Sequence, residues 1–190
     1  MTTSNAAMTG TRSDAIELLT SDHREVEQLF KQYEAAANDG GVAHHAAEQI
    51  IRELSIHAAV EEMILYPMMR KVDPNSSGLV DHSLEEHQEV KEILAKVDGK
   101  PANDPEIRQL FMKLKSSVEE HVAEEEGKLF PALRSHVKQD ELQELGDKMA
   151  KAKAMAPTHP HPNAPNTPPG NIMAGPLAAM GDKVRDFLRQ

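Results

Sequence analysis

Apolar residues recur at alternating three- and four-residue steps through most of the first 137 positions, the spacing of one face of a helix. The first stripe is Ile16, Leu19, His23, Val26, Phe30 and Tyr33; the second is Ile50, Leu54, His57, Glu61, Ile64 and Met68. The third is Val80, Ser83, His87, Val90, Leu94 and Val97; the fourth is Leu114, Val118, His121, Glu125, Lys128 and Ala132. No run of alternating β-branched residues suggests a strand, so the chain reads as all-α. Ser13 is the candidate N-cap of the first helix, which Gly40-Gly41 is expected to stop. The second helix, about 42–72, ends in the turn-forming run Asp73 to Gly78, and the third closes at Asp98-Gly99. Asp104-Pro105 opens a fourth that reaches about Val137. Four long helices with short connections predict an up-down-up-down four-helix bundle.

Outside residues 13–137 the pattern changes. Residues 1–12 are polar and expected to be disordered, and 138–156 reads as an additional amphipathic helix packing on the bundle. Residues 157–190 read as a Pro/His-rich linker or wrapping arm followed by a short C-terminal helix, because prolines lack donors and favour extended backbone. A net charge of −10 and a pI near 5.4 oppose a phosphate-binding surface, so no nucleic-acid partner is expected. No apolar stretch has bilayer length and the first residues lack a signal-peptide pattern, so the expected location is cytoplasmic, without a membrane partner. With no cysteine, thiolate catalysis and Cys-ligated metal are excluded, and any metal chemistry runs on nitrogen and oxygen donors.

The chain also repeats itself. His57–Pro67 (HAAVEEMILYP) returns 64 positions on as His121–Pro131 (HVAEEEGKLFP), and Asp22–Phe30 (DHREVEQLF) returns as Glu86–Leu94 (EHQEVKEIL). Helices one and two therefore repeat as helices three and four. An internal two-fold arrangement would bring His23, His57 and Glu61 opposite His87, His121 and Glu125. A lone histidine in an apolar stripe is usually a satisfied core residue. Four in register with two glutamates form a layer whose buried charge costs several kcal/mol unless a partner or a metal offsets it. A His and a Glu four apart share one helix face and can reach one ion. This predicts a dinuclear metal site on those six residues.

At these residues the chain resembles the hemerythrin-like, HHE cation-binding domain family, over about 13–137. The resemblance implies a four-helix bundle with an oxo- or hydroxo-bridged pair of non-haem iron ions. His23, His57 and Glu61 would serve one half and His87, His121 and Glu125 the other, with both glutamates bridging. Zinc or manganese would also suit such donors. Oxygen-carrying relatives place a further histidine where Ser83 stands. Its neighbour His82, about 140° around the helix from His87, reads as a surface residue, with a seventh ligand as the alternative. Glu62 and Glu126, next to the bridging glutamates, read as solvated helix-edge charges, or else as ligands or proton relays, and Glu124 as solvated surface. Tyr66 and Phe130 are expected to pack at the end of the site, and Pro67 and Pro131 to kink their helices just past the ligands.

Two functions follow from the resemblance. One is a di-iron protein that reacts with dioxygen, peroxide or nitric oxide, in a catalase- or peroxidase-like manner. The other is a non-catalytic iron-holding or oxygen/redox-sensing module. A third reading, from the pattern alone, makes the histidines core residues of a helical interaction domain.

Overall fold

The computed structural model describes residues 13–36 and 39–189, so the expectation for residues 1–12 lies outside the described residues. The helices are α1 (Ala15–Ala35), α2 (Gly40–Val60), α3 (Tyr66–Val72), α4 (Ser77–Val97), α5 (Pro105–Glu124), α6 (Phe130–His136), α7 (Gln139–Lys153) and α8 (Gly170–Arg189). Among the described residues there is no strand, and no helix is long and apolar enough to cross a membrane. α1 packs on α2, α4 packs on α5, and α7 lies against both α1 and α2.

The helix ends follow local capping chemistry. α1 is capped by Asp14 rather than Ser13: Asp14 Oδ1 accepts from the Glu17 amide at 2.9 Å, and the Glu17 carboxylate accepts from the Asp14 amide at 3.0 Å. Only Asp14 stands three residues before a glutamate, the spacing this reciprocal pair needs. Gly40 and Gly41 open α2 instead of ending α1. Asp39 Oδ1 takes the Gly41 and Val42 amides at 3.0 and 3.1 Å, satisfying donors that the first turn would otherwise leave unpaired. Asp104 and Pro105 start α5 as expected. α8 begins at Gly170 and is longer than the short terminal helix expected.

The second and fourth long helices are not continuous. Each contains one π-helical turn, Glu61–Leu65 and Glu125–Leu129, in which the Tyr66 amide bonds to Glu61 O and the Phe130 amide to Glu125 O. Proline follows in both cases, with no N–H to donate and a ring that crowds the carbonyl four residues back. The distortion is thus an inserted residue at the glutamates, not a kink beyond them. It also advances the buried face by one position. Leu65 and Met69 are buried where Ile64 and Met68 are expected, and Leu129 and Leu133 where Lys128 and Ala132 are.

Two apolar clusters make the core. One joins the C-terminal half of α1 and the first part of α2 to the end of α4 and most of α5, including Phe30, Ile50, Leu94 and Phe111. The other joins the start of α1, the start of α4, α3, α6 and α7, including Leu19, Met69, Leu133 and Met149. Along α1 the change of cluster falls at His23, between Leu19 and Val26; along α4 it falls at His87, between Leu84 and Val90. His57 and His121 sit at the same boundary on the other two long helices.

Gly146 lets α7 approach α1 closely. A Cβ there would lie 2.6 Å from the Ser13 carbonyl oxygen and 2.9 Å from the Asp14 carbonyl carbon. Gly146→Ala should therefore destabilise the fold by about 1–3 kcal/mol in urea unfolding, and an unchanged midpoint would count against this packing. Asp14→Ala should cost about 1 kcal/mol at neutral pH. Burial works against the Asp14 charge, but the Glu17 amide, Gln139 and Arg134 outweigh it and hold the carboxyl below its usual range. Its contribution is therefore complete above the unfolded-state value and disappears as pH falls through the folded one. Denaturation at pH 7 and near pH 2 should show the gap between wild type and variant closing in acid.

Candidate metal centre

All six predicted residues meet in the layer between the two apolar clusters, and all six are buried. His23 Nε2 faces His57 Nε2 at 3.2 Å, and His87 Nε2 faces His121 Nε2 at 3.1 Å. Each glutamate spans both pairs. Glu61 Oε2 lies 3.1 Å from His57 Nε2 and 3.4 Å from His87 Nε2. Glu125 Oε2 lies 3.4 Å from His23 Nε2 and 3.6 Å from His121 Nε2. The π-turns begin at these two glutamates, so the extra residue falls at the position that reaches both histidine pairs.

The outward nitrogen of every histidine faces a carboxylate. His23 Nδ1 is 2.9 Å from Glu126 Oε1, His87 Nδ1 3.1 Å from Glu62 Oε1, and His121 Nδ1 2.8 Å from Glu86 Oε2. His57 Nδ1 stands 3.5 Å from Asp22 Oδ2, an ion-pair distance. Since an ionised carboxylate only accepts, it favours a proton on Nδ1, so Nε2 is the nitrogen that turns inward and would offer its lone pair once a cation displaces any proton there. Three of the four carboxylates are themselves held by cations: Glu126 by Arg24, Asp22 by Lys153 at 2.6 Å, and Glu62 by Lys91 at 2.7 Å; Glu86 Oε1 lies 3.5 Å from His82 Nε2. Asp22 and Glu86 correspond across the repeat, as do Glu62 and Glu126.

These contacts revise the reading of several residues. Glu62 is buried and Glu126 half-buried; each orients a histidine, so neither is a solvated helix-edge charge. His82 is half-exposed and lies outside the six-residue group, as a surface residue should. Phe130 packs as expected, stacked on His23 at 5.7 Å, but Tyr66 does more than pack. Its hydroxyl donates to Glu125 Oε1 at 3.0 Å and lies 3.1 Å from His87 Nε2 and 3.5 Å from Glu61 Oε2. Its repeat partner is phenylalanine, so one half of the layer has a hydroxyl that the other lacks.

Close pairing overrides the cost of burial at the charged groups. Burial opposes charge on His57, but Glu61, Asp22 and Glu125 outweigh it and raise the imidazolium to about 10. His87 is likewise raised, to about 9, by Glu61 and Glu62 against burial. Glu61 is held well below its usual value despite complete burial, because His57 and His87 face it. Burial, then Glu125 and Glu61, push Tyr66 well above its ordinary value, so it keeps its proton.

The donors fit metal ions. Glu61 Oε1 and Glu125 Oε2 are buried and accept no hydrogen bond, which is costly unless a cation fills the gap. His23, His57, Glu61 and Glu125 can each offer one donor atom within 4.8 Å of the others, as can Glu61, His87 and His121. Beside them a cavity of about 20 Å³, walled by Val26, Leu54, Val90 and Val118, has room for one water-sized molecule.

The chain matches the hemerythrin HHE cation-binding domain over residues 14–133. It is 33% identical to a hemerythrin-like protein of Schizosaccharomyces pombe, across 94% of this chain and 86% of that one. A DNA nickase of Nostoc sp. is 27% identical over 73% of the chain, which spans only 38% of the nickase. The crystal structure of an HHE cation-binding domain-containing protein from Mycobacterium kansasii superposes with a TM-score of 0.63 at 28% identity, covering 75% of this chain and 86% of that one. With its helical fold, its buried histidine–glutamate layer and this match, the chain belongs to the hemerythrin HHE cation-binding family.

Proposed function

We propose that His23, His57, Glu61, His87, His121 and Glu125 hold two iron ions, with both glutamates shared between them, and that the centre reacts with peroxide, dioxygen or nitric oxide. The observation that carries this reading is the single-molecule cavity beside all four histidines, whose size suits a small ligand and rejects an organic substrate. Iron bound here would supply a redox-active Lewis acid for such a ligand. The chain's residues do the rest. Valines and Leu54 give the cavity an apolar wall, the four outer carboxylates orient the imidazoles, and Tyr66 holds a proton at Oη within reach of Glu125.

A second reading, as a non-catalytic sensor, draws on the C-terminal segment. Asn171 Nδ2 donates to the Glu62 carbonyl at 3.0 Å and Gln88 Nε2 to the Pro162 carbonyl at 3.1 Å, so the segment touches residues next to His87. Metal-dependent protection of residues 157–189 from hydrogen exchange, without turnover, would favour it.

The primary test is gas evolution from peroxide by iron-loaded protein, with zinc-loaded protein as control. Iron-dependent evolution is expected; no turnover and no spectral response to peroxide, dioxygen or nitric oxide would contradict the reading. His57→Ala and His121→Ala should each lose bound metal by elemental analysis, and undiminished content in both would overturn the ligand assignment. Tyr66→Phe should keep the metal while slowing peroxide turnover by about 10²-fold, the usual scale for a positioned proton donor. An unaltered rate in that variant removes the proton role.

A further inference from the structure

One half of the repeat carries donors that the other lacks. His82 Nε2 lies 3.5 Å from Glu86 Oε1 and 3.6 Å from Glu124 Oε2, and the three donors fall within 4.8 Å of one another. Glu86 is shared with the buried layer, since its Oε2 takes His121 Nδ1 at 2.8 Å. Glu124 Oε1 accepts from Lys128 at 2.6 Å, while Oε2 is shielded from solvent and accepts nothing. The His82 side chain is 55% exposed, whereas Glu86 and Glu124 are 21% and 19% exposed, so the group opens to solvent at the imidazole and closes towards the interior.

The repeat provides an internal control. Sixty-four positions earlier, His82, Glu86 and Glu124 correspond to Leu18, Asp22 and Val60. Asp22 keeps the task of Glu86 beside its histidine and is neutralised by Lys153. The two flanking positions there are apolar. His82 and Glu124 therefore occur together, around one carboxylate, in one half only. Glu86 and Glu124 also directly precede His87 and Glu125, which face the buried layer.

We propose that His82, Glu86 and Glu124 form an outer divalent-cation site that takes ions from solvent and hands them to the buried centre. One imidazole and two carboxylates suit a first-row divalent ion such as Fe²⁺, Mn²⁺ or Zn²⁺, with water completing its shell. The outer ion is bound less tightly than the inner ones because it has fewer protein donors and stays partly hydrated. Inward movement releases the ion from Glu86 and Glu124 to the inward Nε2 of His121, whose Nδ1 Glu86 already holds, and to Glu125, the chain neighbour of Glu124, with no change of oxidation state.

This inference rests on the buried residues holding ions, and cobalt(II) separates the two. Metal-free full-length protein is titrated by calorimetry, and filling of the buried centre is followed by stopped-flow absorbance. Wild type should bind two tight ions and a weaker third. His82→Ala and Glu124→Gln should keep the tight pair, lose the third, and fill the buried centre slower by about tenfold or more, the scale of a lost electrostatic funnel. Two tight ions and no third in wild type, a third ion retained by both variants, or wild-type filling rates in both would overturn the outer site. Wild-type protein that binds no cobalt would overturn the buried reading and this one with it.

Discussion

Burying two carboxylates among four imidazoles, with an apolar cluster on either side, is the constraint around which the molecule is arranged. A charge in such a place is tolerated only when it is paired and hydrogen-bonded. The chain meets that condition in rings. The glutamates lie among the inward nitrogens, the outward nitrogens meet four carboxylates, and three of those carboxylates meet Arg24, Lys91 and Lys153. Among the buried atoms left without a hydrogen bond are Glu61 Oε1 and Glu125 Oε2, which face the inward nitrogens and which a cation would satisfy; His57 Nδ1 and Asp22 Oδ2 face one another at ion-pair distance only.

Duplication is an economical route to such a layer. One helix supplies an imidazole and the next an imidazole and a glutamate, and the second copy supplies the facing set. The two halves differ where chemistry can differ. Tyr66 faces Phe130 in the correspondence, and His82 with Glu124 answers to Leu18 and Val60. The shared scaffold therefore keeps the six inner positions alike while each half carries its own surroundings. The hydroxyl and the outer donors both belong to the surroundings.

Much of this was legible in the sequence because helix periodicity and a 64-residue repeat are local, countable patterns. The stripe of α1 is buried residue for residue, and the four stripe histidines, His23, His57, His87 and His121, fall near the change of cluster. The errors have one cause on the second and fourth helices: a constant period cannot register an inserted residue. Lys128 in an otherwise apolar stripe was the visible sign, together with the matched prolines. The carboxylates that orient the histidines were also on view, as Asp22-His23 and Glu86-His87 and as the doubled glutamates 61–62 and 125–126. Adjacency along a helix hides the fact that each of them serves a histidine of another helix. Lys153, 131 residues from Asp22, leaves no local signal at all.

The account stands on the cation requirement of the buried layer, so the most direct measurement is the number of ions that wild-type protein retains. Protein loaded with ferrous iron is passed over a weak chelating resin, which strips loosely held metal, and is then analysed by elemental analysis and native mass spectrometry. The account predicts two irons per folded chain. A folded, metal-free chain that takes up no iron would contradict it, and would leave the histidine–glutamate layer as a hydrogen-bonded core.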